Sequence, residues 1–506
     1  MSLEYTAVPE IETKYESVRD GFLSGATQDL DFRREQLRDL YYAIADHEEE
    51  LKQALHEDLH RSPIELEVLE LNQVLGEIKL AIDKLDSWAA DIPISGDIRF
   101  VGRNVLRPTP YGVVLVLGPW NYPYLCTLVP IVSAIAAGNT VLFKPTEIAV
   151  HSTLVLQRVL AVLDPRVLQV VVGSVEEASF ILDNLSFDKI MLTGSGRVGK
   201  IVAAAAARSL TPLTLELGGK SPAIVTASAS LARAAKRLAW AKFVNAGQTC
   251  IAPDYAIVDD RVADLFVAEL KRAIEQLYPD DRDLAHIVSD PLFKRASALV
   301  GSSKGTVWQH GGSDEFSRRF PPTIVDDVSV EDSLMQDELF GPILPIIRVK
   351  TADFCSEACA LVRRHDHPLA LYIFATRKAE QTALINGTRS GAVTINDAVM
   401  QGGSSVIPFG GVGPSGQGRY HGKYGFDEFT FERPVVNQPN WAESLLAARY
   451  PPYTAFNALL LRLVSRPLRP GFTRRGPVRP TFFARVLSLV TSKYAMLVFI
   501  AYLLVR

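Results

Sequence analysis

The sequence predicts an α/β fold with parallel sheets covered by helices on both faces, and three observations lead there. The apolar runs are short and unbroken rather than alternating, helix-like stretches separate them, and a glycine-rich turn follows one run directly and opens a helix. A strand that is apolar at every position has to be covered on both sides, which is the mark of a parallel sheet. At 506 residues the chain exceeds one ordinary core, so two or more domains are expected.

Taken in order, 15–88 reads as helices, with Leu37, Leu40, Tyr41 and Ile44 forming one apolar stripe at helical spacing. Residues 97–108 alternate in β-like fashion, with Arg99, Arg103 and Asn104 among apolar neighbours, a ribbon suited to an arm between subunits. Strand runs follow at 113–117, 140–143, 168–172 and 189–192, separated by helix-like stretches that include 150–163 and the alanine-rich 198–207. A second α/β stretch covers 217–395. Nothing repeats at a fixed period, and no low-complexity linker divides the body.

Charge is distributed unevenly. The 57 Asp and Glu all lie at or before Glu443, whereas the stretch from Arg449 to Arg506 carries ten Lys/Arg and no acid, so the body is −14 and the tail +10. An acidic body argues against nucleic acid, and a basic tail interleaved with apolar runs points to a membrane. The four cysteines, Cys126, Cys250, Cys355 and Cys359, are too few and scattered for a disulfide framework, which implies a reducing compartment. Cys355 and Cys359 fall on one helical turn but have no further Cys or His to complete a zinc site, so they read as packing residues and no metal is expected. Early acids (Glu4, Glu10, Glu12) and the lack of an apolar region argue against an N-terminal signal.

Six Gly/Pro-rich loops carry candidate chemistry. Gly194-Ser195-Gly196-Arg197-Val198-Gly199 has the spacing of a phosphate-binding turn, placed after a strand and at a helix start. Gly247-Gln248-Thr249-Cys250 presents a thiol. Gly118-Pro119-Trp120-Asn121-Tyr122-Pro123 places an amide on a loop after a strand, and Glu216-Leu217-Gly218-Gly219-Lys220 places a carboxylate at a strand end. Glu338-Leu339-Phe340-Gly341-Pro342 and Pro408-Phe409-Gly410-Gly411-Val412-Gly413 complete the set. Each alone reads equally as a turn, but all of them in one chain do not.

In this order the motifs resemble the aldehyde dehydrogenase superfamily, over roughly 15–434. Gly247 to Tyr255 and Tyr420-His421-Gly422-Lys423 resemble its class 3 and fatty aldehyde dehydrogenase branch. The resemblance implies a Rossmann-type cofactor domain at 1–215 (with 91–112 in an oligomerisation arm), a catalytic domain at 216–395 and a return to the cofactor domain and arm at 396–440. A basic linker at 441–480 and a membrane anchor at 481–506 would follow. It also implies a homodimer.

By the same resemblance Cys250 is the nucleophile, giving a thiohemiacetal and then a thioester. Asn121 and the Cys250 N–H hold the oxyanion, and Glu216 activates the hydrolytic water. Lys144 and Glu147 match positions at the adenosine ribose, which favours NAD, with NADP possible. Ser195, between Gly194 and Gly199, faces the pyrophosphate. Glu338 and Phe340 match positions at the nicotinamide ribose and ring. The sequence departs from the branch at Gly196-Arg197, where Thr-Ala is usual, and at Gly425, where Ser is usual, which leaves cofactor affinity open.

The tail from 482 to 505 is largely apolar but interrupted by Arg485 and Lys493. A spanning helix needs about 20 residues, so a tail anchor and a monotopic insertion both remain open, with the body facing the cytosol. Endoplasmic reticulum is the first expectation, ahead of mitochondrial outer membrane, peroxisome or lipid droplet. The apolar segment 455–464 is a candidate gating helix over the substrate entrance. The function expected is NAD-dependent oxidation of medium- to long-chain fatty aldehydes to acids. The alternatives are a CoA-acylating enzyme, which Glu216 disfavours, and a catalytically silent membrane scaffold.

Overall fold

The structure, a computed structural model, describes residues 3–94, 102–465, 472–473 and 476–477. The N-terminal region is helical, with Val8–Leu23, Leu30–Asp46, Glu48–Leu59 and Asn72–Ala89 as its longer elements. Leu37, Leu40 and Ile44 of the predicted stripe are fully buried, and Tyr41 packs against the same cluster from its edge.

In chain order the strands are β1 (Ile92–Ile94), β2 (Asn104–Pro110), β3 (Val113–Leu117), β4 (Thr140–Lys144), β5 (Leu168–Val170), β6 (Lys189–Thr193) and β7 (Leu213–Glu216). They continue as β8 (Pro222–Val225), β9 (Tyr255–Asp259), β10 (Thr306–Gln309), β11 (Thr323–Asp326), β12 (Ile343–Val349), β13 (Ala370–Phe374) and β14 (Ala392–Ile395). A short β15 (Gly416–Gln417) and β16 (Thr430–Val436) come last in the body.

One compact unit, 1–89 with 108–431, contains two sheets. The first has the order β15-β7-β6-β3-β4-β5, parallel except for β15. The second runs β10-β11-β12-β9-β8-β13-β14, parallel except for β10. Every residue of β3, β4 and β6 is buried, which is why those runs show no alternation. The break between the sheets falls at 217–221, and β15 returns the chain to the first sheet. Small differences from the sequence reading have local causes. The helix from Val150 ends at Leu160, short of Asp164-Pro165. The glycine-turn helix starts at Gly196 because the Ser195 side chain caps it, accepting from Val198 N–H.

In the first sheet the chain moves outward from β3 through β4 to β5, then returns to lay β6 and β7 on the other side of β3. The strand ends of β3 and β6 therefore flank a switch point, the crevice where open parallel sheets bind ligands.

The other unit, 90–107 with 432–506, holds the three-stranded sheet β1-β2-β16. Ile92 pairs with Leu106, and Arg107 grips Asp91 through two bonds of 2.8 and 2.9 Å. The segment expected as a gating helix is helical over Ala455–Ser465. The anchor expected at 481–506 and residues 95–101 of the arm lie outside the described residues. Among the described residues no helix is long and apolar enough to cross a membrane.

Candidate active site

The loop after β3 is fixed from below by a buried ion pair. Glu70, fully buried, accepts the backbone N–H groups of Tyr124 and Leu125 at 2.9 and 3.1 Å, at the start of the helix Leu125–Ala137. A carboxylate suits that position because the first N–H groups of a helix have no partner within it. Arg61 pairs with Glu70 and lies 4.5 Å over the Tyr122 ring. Asn121, next in line, is 5% exposed and donates through Nδ2 to the Gln248 carbonyl at 2.9 Å. The Tyr122 hydroxyl bonds Thr249 Oγ1 at 2.9 Å. Two consecutive residues of the β3 loop are thus tied to the two residues before Cys250.

Cys250 is presented by a strained turn. Asn245, Ala246 and Gly247 have φ of 52, 52 and 70°, and the first two lack the glycine freedom that suits this region. Side chains hold the turn closed. Asn245 Nδ2 donates to the Asn121 carbonyl at 2.9 Å and to the Gln248 carbonyl at 3.2 Å. Gln248 Nε2 donates to the carbonyls of Asn245 (3.1 Å) and His286 (2.9 Å), while its Oε1 accepts Val288 N–H at 3.0 Å. On the far side the Tyr372 hydroxyl donates to the Ile251 carbonyl at 2.5 Å. Gly247 has to be glycine here, since a Cβ would sit 2.4 Å from the Gly341 carbonyl oxygen. Cys250 keeps part of its surface open, yet the surrounding burial, with smaller contributions from Glu338 and Glu216, pushes its thiol up to about 12.

Glu216 ends β7 and is 2% exposed, and neither carboxylate oxygen has a hydrogen-bond partner. Burial, reinforced by Glu428, holds its pKa well above the usual carboxylate range. Among the described residues it is in no salt bridge. Glu338 rests against Gly218, where a Cβ would lie 2.2 Å from Oε2, and burial lifts its pKa to about 8. Nearby Lys242 is fully buried with an unpartnered Nζ, and burial lowers its pKa to about 8.

Comparison with known proteins settles the family. The sequence pattern of the Aldehyde dehydrogenase family matches residues 4–435. The chain belongs to that family. It is 41% identical over 456 residues to mouse aldehyde dehydrogenase family 3 member B1, covering 89% of this chain and 96% of that one. It is 40% identical over 444 residues to the rat aldehyde dehydrogenase described as dimeric and NADP-preferring, covering 86% and 96%. A solved structure described as the substrate-bound state of Staphylococcus aureus AldH shares 36% identity at a TM-score of 0.86, covering 90% of this chain and 99% of that one. The protein is an NAD(P)-dependent aldehyde dehydrogenase, oxidising aldehydes to acids.

Residues expected to hold the cofactor of an aldehyde dehydrogenase sit on the C-terminal side of the first sheet. Lys144, the last residue of β4, bonds the Glu147 carboxylate at 3.3 Å, so the two expected ribose-binding residues share one place. Gly194 and Ser195 follow β6. A Cβ at Gly196 would meet nothing within 4 Å, and one at Gly199 would strike Leu217 at 2.8 Å. The first glycine leaves the helix start open to a pyrophosphate, and the other allows the helix to pack on its sheet. These features fit a dinucleotide. Phe340, at a positive φ of 50°, meets Trp120 edge-on with ring centroids 5.4 Å apart. Arg197 and Lys200 are exposed, as expected of surface charges. Cys359 is buried in the core and Cys355 lies at its edge. Among the described residues no group of three His, Cys, Asp or Glu is arranged to hold a metal.

The sequence reading missed Gln248, Asn245, Lys242 and the Arg61–Glu70 pair. Asn245 and Gln248 border the cysteine motif and offered a signal, as amides in a Gly-containing turn. The others had none: Glu70 meets the N–H groups of Tyr124 and Leu125 only in the fold, and Lys242 Nζ is buried without a hydrogen-bond partner.

Proposed function

We propose that this aldehyde dehydrogenase oxidises medium- to long-chain apolar aldehydes through a Cys250 thioester, with Asn121 as oxyanion donor and Glu216 as hydrolytic base. The observation that carries the chemistry is the junction of the Asn121 loop and the Cys250 turn beside a buried carboxylate with no partner. Cys250 starts as a thiol, so attack on the aldehyde requires its proton to leave, and Glu216 is the acceptor assigned here. The Asn121 amide has two N–H groups and gives only one to Gln248, which leaves the second for the oxygen that becomes negative as sulfur adds. The bound nicotinamide cofactor supplies the hydride acceptor. Lys144, Glu147, Gly194, Ser195, Gly199, Glu338 and Phe340 would hold it. Glu216, once it has released the thiol's proton to solvent, takes a proton from the water that cleaves the thioester. A carboxylate whose pKa is raised by burial is a stronger base once ionised, which suits it to that work.

The apolar substrate preference is supported by the loop 400–407. Met400, Val406 and Ile407 are exposed there, and a Cβ at Gly402 would touch Ile251, the neighbour of Cys250. An exposed apolar rim at a reactive thiol suits an aldehyde with a hydrocarbon tail. We assign NAD as the preferred cofactor because Glu147 would oppose a 2′-phosphate, although a relative is described as NADP-preferring. The same relative is described as dimeric, which supports a homodimer. We assign the basic, apolar tail to attachment on the cytosolic face of a membrane, the endoplasmic reticulum first, and substrate gating to the helix Ala455–Ser465.

The test is cofactor reduction across a chain-length series of aldehydes without CoA, for the full-length protein and Cys250→Ala. Turnover rising with chain length and absent from the variant supports the proposal. Acid formed only with CoA would favour the CoA-acylating reading, and activity surviving Cys250→Ala would overturn the mechanism. Equal discrimination of chain lengths after truncation at about Asn440 would remove the gating role.

A further inference from the structure

Glu428, the last residue of the helix Gly422–Glu428, is held where no part of the reaction so far has used it. Its Oε1 accepts from Lys189 Nζ at 2.7 Å and from Thr214 Oγ1 at 2.6 Å, and its Oε2 accepts from Arg419 N–H at 3.2 Å. Thr214 and Lys189 are almost completely buried, whereas the Glu428 side chain is 19% exposed. It lines a cavity of about 430 Å3 together with Gly411, Gly418, Arg419, Tyr424 and Asp427. Gly418 makes the fit close, since a Cβ there would lie 2.6 Å from Glu428 Oε1 and 2.8 Å from Thr214 Cγ2.

Thr214 and Glu216 are two apart on β7, so their side chains share one face, separated by about 6.6 Å of strand. Leu215 between them packs into the opposite cluster, together with Ile190 and Leu192. Thr193, paired in register with Glu216, is on the Glu216 face, and its hydroxyl is buried without a partner. One side of the sheet thus carries a polar line. It begins at an unpartnered carboxylate and hydroxyl, continues through Thr214, and reaches a carboxylate that opens to a cavity.

We propose that Glu428 is the exit carboxylate for the proton that Glu216 collects during thioester hydrolysis, reached along β7 through the Thr214 hydroxyl. This rests on the assignment of Glu216 as hydrolytic base. In the step, water oxygen bonds to the acyl carbon as one water proton passes to Glu216. The carbon–sulfur bond breaks and its electron pair goes to sulfur. Glu216 gives its proton, through one solvent molecule, to Thr214 Oγ, whose own proton moves to Glu428 Oε1 and from there to the cavity. Lys189 balances the Glu428 charge between turnovers. The other groups at this end are Tyr111, whose ring is 5.3 Å from Lys189 Nζ, Arg419, Tyr424 and Asp427 around the cavity, and Lys423, which bonds Asp427.

The experiment is rapid-quench mass spectrometry of the full-length enzyme turning over with NAD and an aldehyde, reading the fraction of Cys250 held as thioester. Glu428→Gln and Thr214→Val should accumulate thioester and slow its hydrolysis about tenfold or more, within the range for lost acid–base assistance. The first turnover of NADH and the KM for NAD should not change. Thr214→Ser should recover hydrolysis relative to Thr214→Val, and a small buffer base should accelerate Glu428→Gln. If Glu428→Gln folds poorly, the double variant K189M/E428Q removes both charges and should show the same thioester accumulation. Wild-type hydrolysis in Glu428→Gln, or equal loss of the first turnover and of hydrolysis, would overturn the proposal. Glu216→Gln separates the two readings. Thioester accumulating there but not in Glu428→Gln sinks the exit route alone, and a Glu216→Gln enzyme that forms thioester and hydrolyses it at the wild-type rate sinks the base assignment itself.

Discussion

Replacing Asn121 by alanine should separate catalysis from folding, because the structure sets the two costs far apart. The amide donates one bond, to the Gln248 carbonyl at 2.9 Å. That carbonyl also accepts Asn245 Nδ2 at 3.2 Å, so removing Asn121 Nδ2 leaves it partnered. The stability loss is therefore that of one satisfied hydrogen bond, about 1 kcal/mol, small beside a typical stability of roughly 5–15 kcal/mol. Loss of an oxyanion donor costs about 100- to 1,000-fold in kcat, roughly 3–4 kcal/mol. Asn121→Asp should be worse on both counts, since a carboxylate has no donor for the oxyanion and faces the Gln248 carbonyl with another acceptor. Steady-state cofactor reduction and thermal unfolding on the same preparations read both quantities. A folded Asn121→Ala enzyme within about tenfold of wild-type kcat, 1.4 kcal/mol or less, would refute the oxyanion role. So would a loss confined to KM.

Four further outcomes are expected. Glu147→Gln should raise the ratio of kcat/KM with NADP to that with NAD by about tenfold, consistent with removal of one opposing charge; an unchanged ratio would take Glu147 out of cofactor choice. Gly218→Ala should drive a methyl into Glu338 and lower activity at least about tenfold, with thermal unfolding shifted far less; wild-type kinetics would show that Glu338 need not stay in place. The thiol of Cys250 and the carboxyl of Glu216 are both held protonated by burial, so their reactive forms increase with pH. The rate should climb from neutral into alkaline pH, and a profile falling over that range would contradict the assignment. Glu338, raised to about 8, contributes stability that is full below its unfolded value near 4.5 and is lost as pH rises through about 8. Between pH 6 and 9, denaturant unfolding of Glu338→Gln should therefore lose less stability than wild type, whereas an equal loss would place the titration elsewhere.

How much of this could be read from the chain depended on whether the cause was local. The strands β3, β4 and β6 were legible because burial on both faces is written into each of them as an unbroken apolar run. Asn121, Glu216 and Cys250 were legible because glycine and proline mark the turns that present them. What was hidden was what holds those turns. Glu70 looks like any helical glutamate until Tyr124 and Leu125 bring their N–H groups to it. The strain at Asn245 and Ala246 is invisible in residues that usually avoid positive φ, and it is tolerated because Gln248, Asn121 and Asn245 bind one another's carbonyls on either side. The helix-stripe pattern around Tyr41 said nothing of which loop those helices support.

Glu216 and Glu428 show why the remaining chemistry needs three dimensions. In sequence they are 212 positions apart, and only Glu216 stands out, beside its glycine-rich turn. Folding gives one carboxylate three donors and a cavity, and leaves the other with none. A buried carboxyl with no donor resists ionisation, because desolvation penalises its charged form. Glu428, by contrast, accepts from a lysine, a hydroxyl and a backbone N–H. Protons gained at the first can reach the second only if a path of exchangeable hydrogens joins them, and Thr214 is the residue that stands between. Burial makes Glu216 hold its proton, so the direction of transfer is set by the opening of Glu428 to the cavity, where solvent carries the proton away.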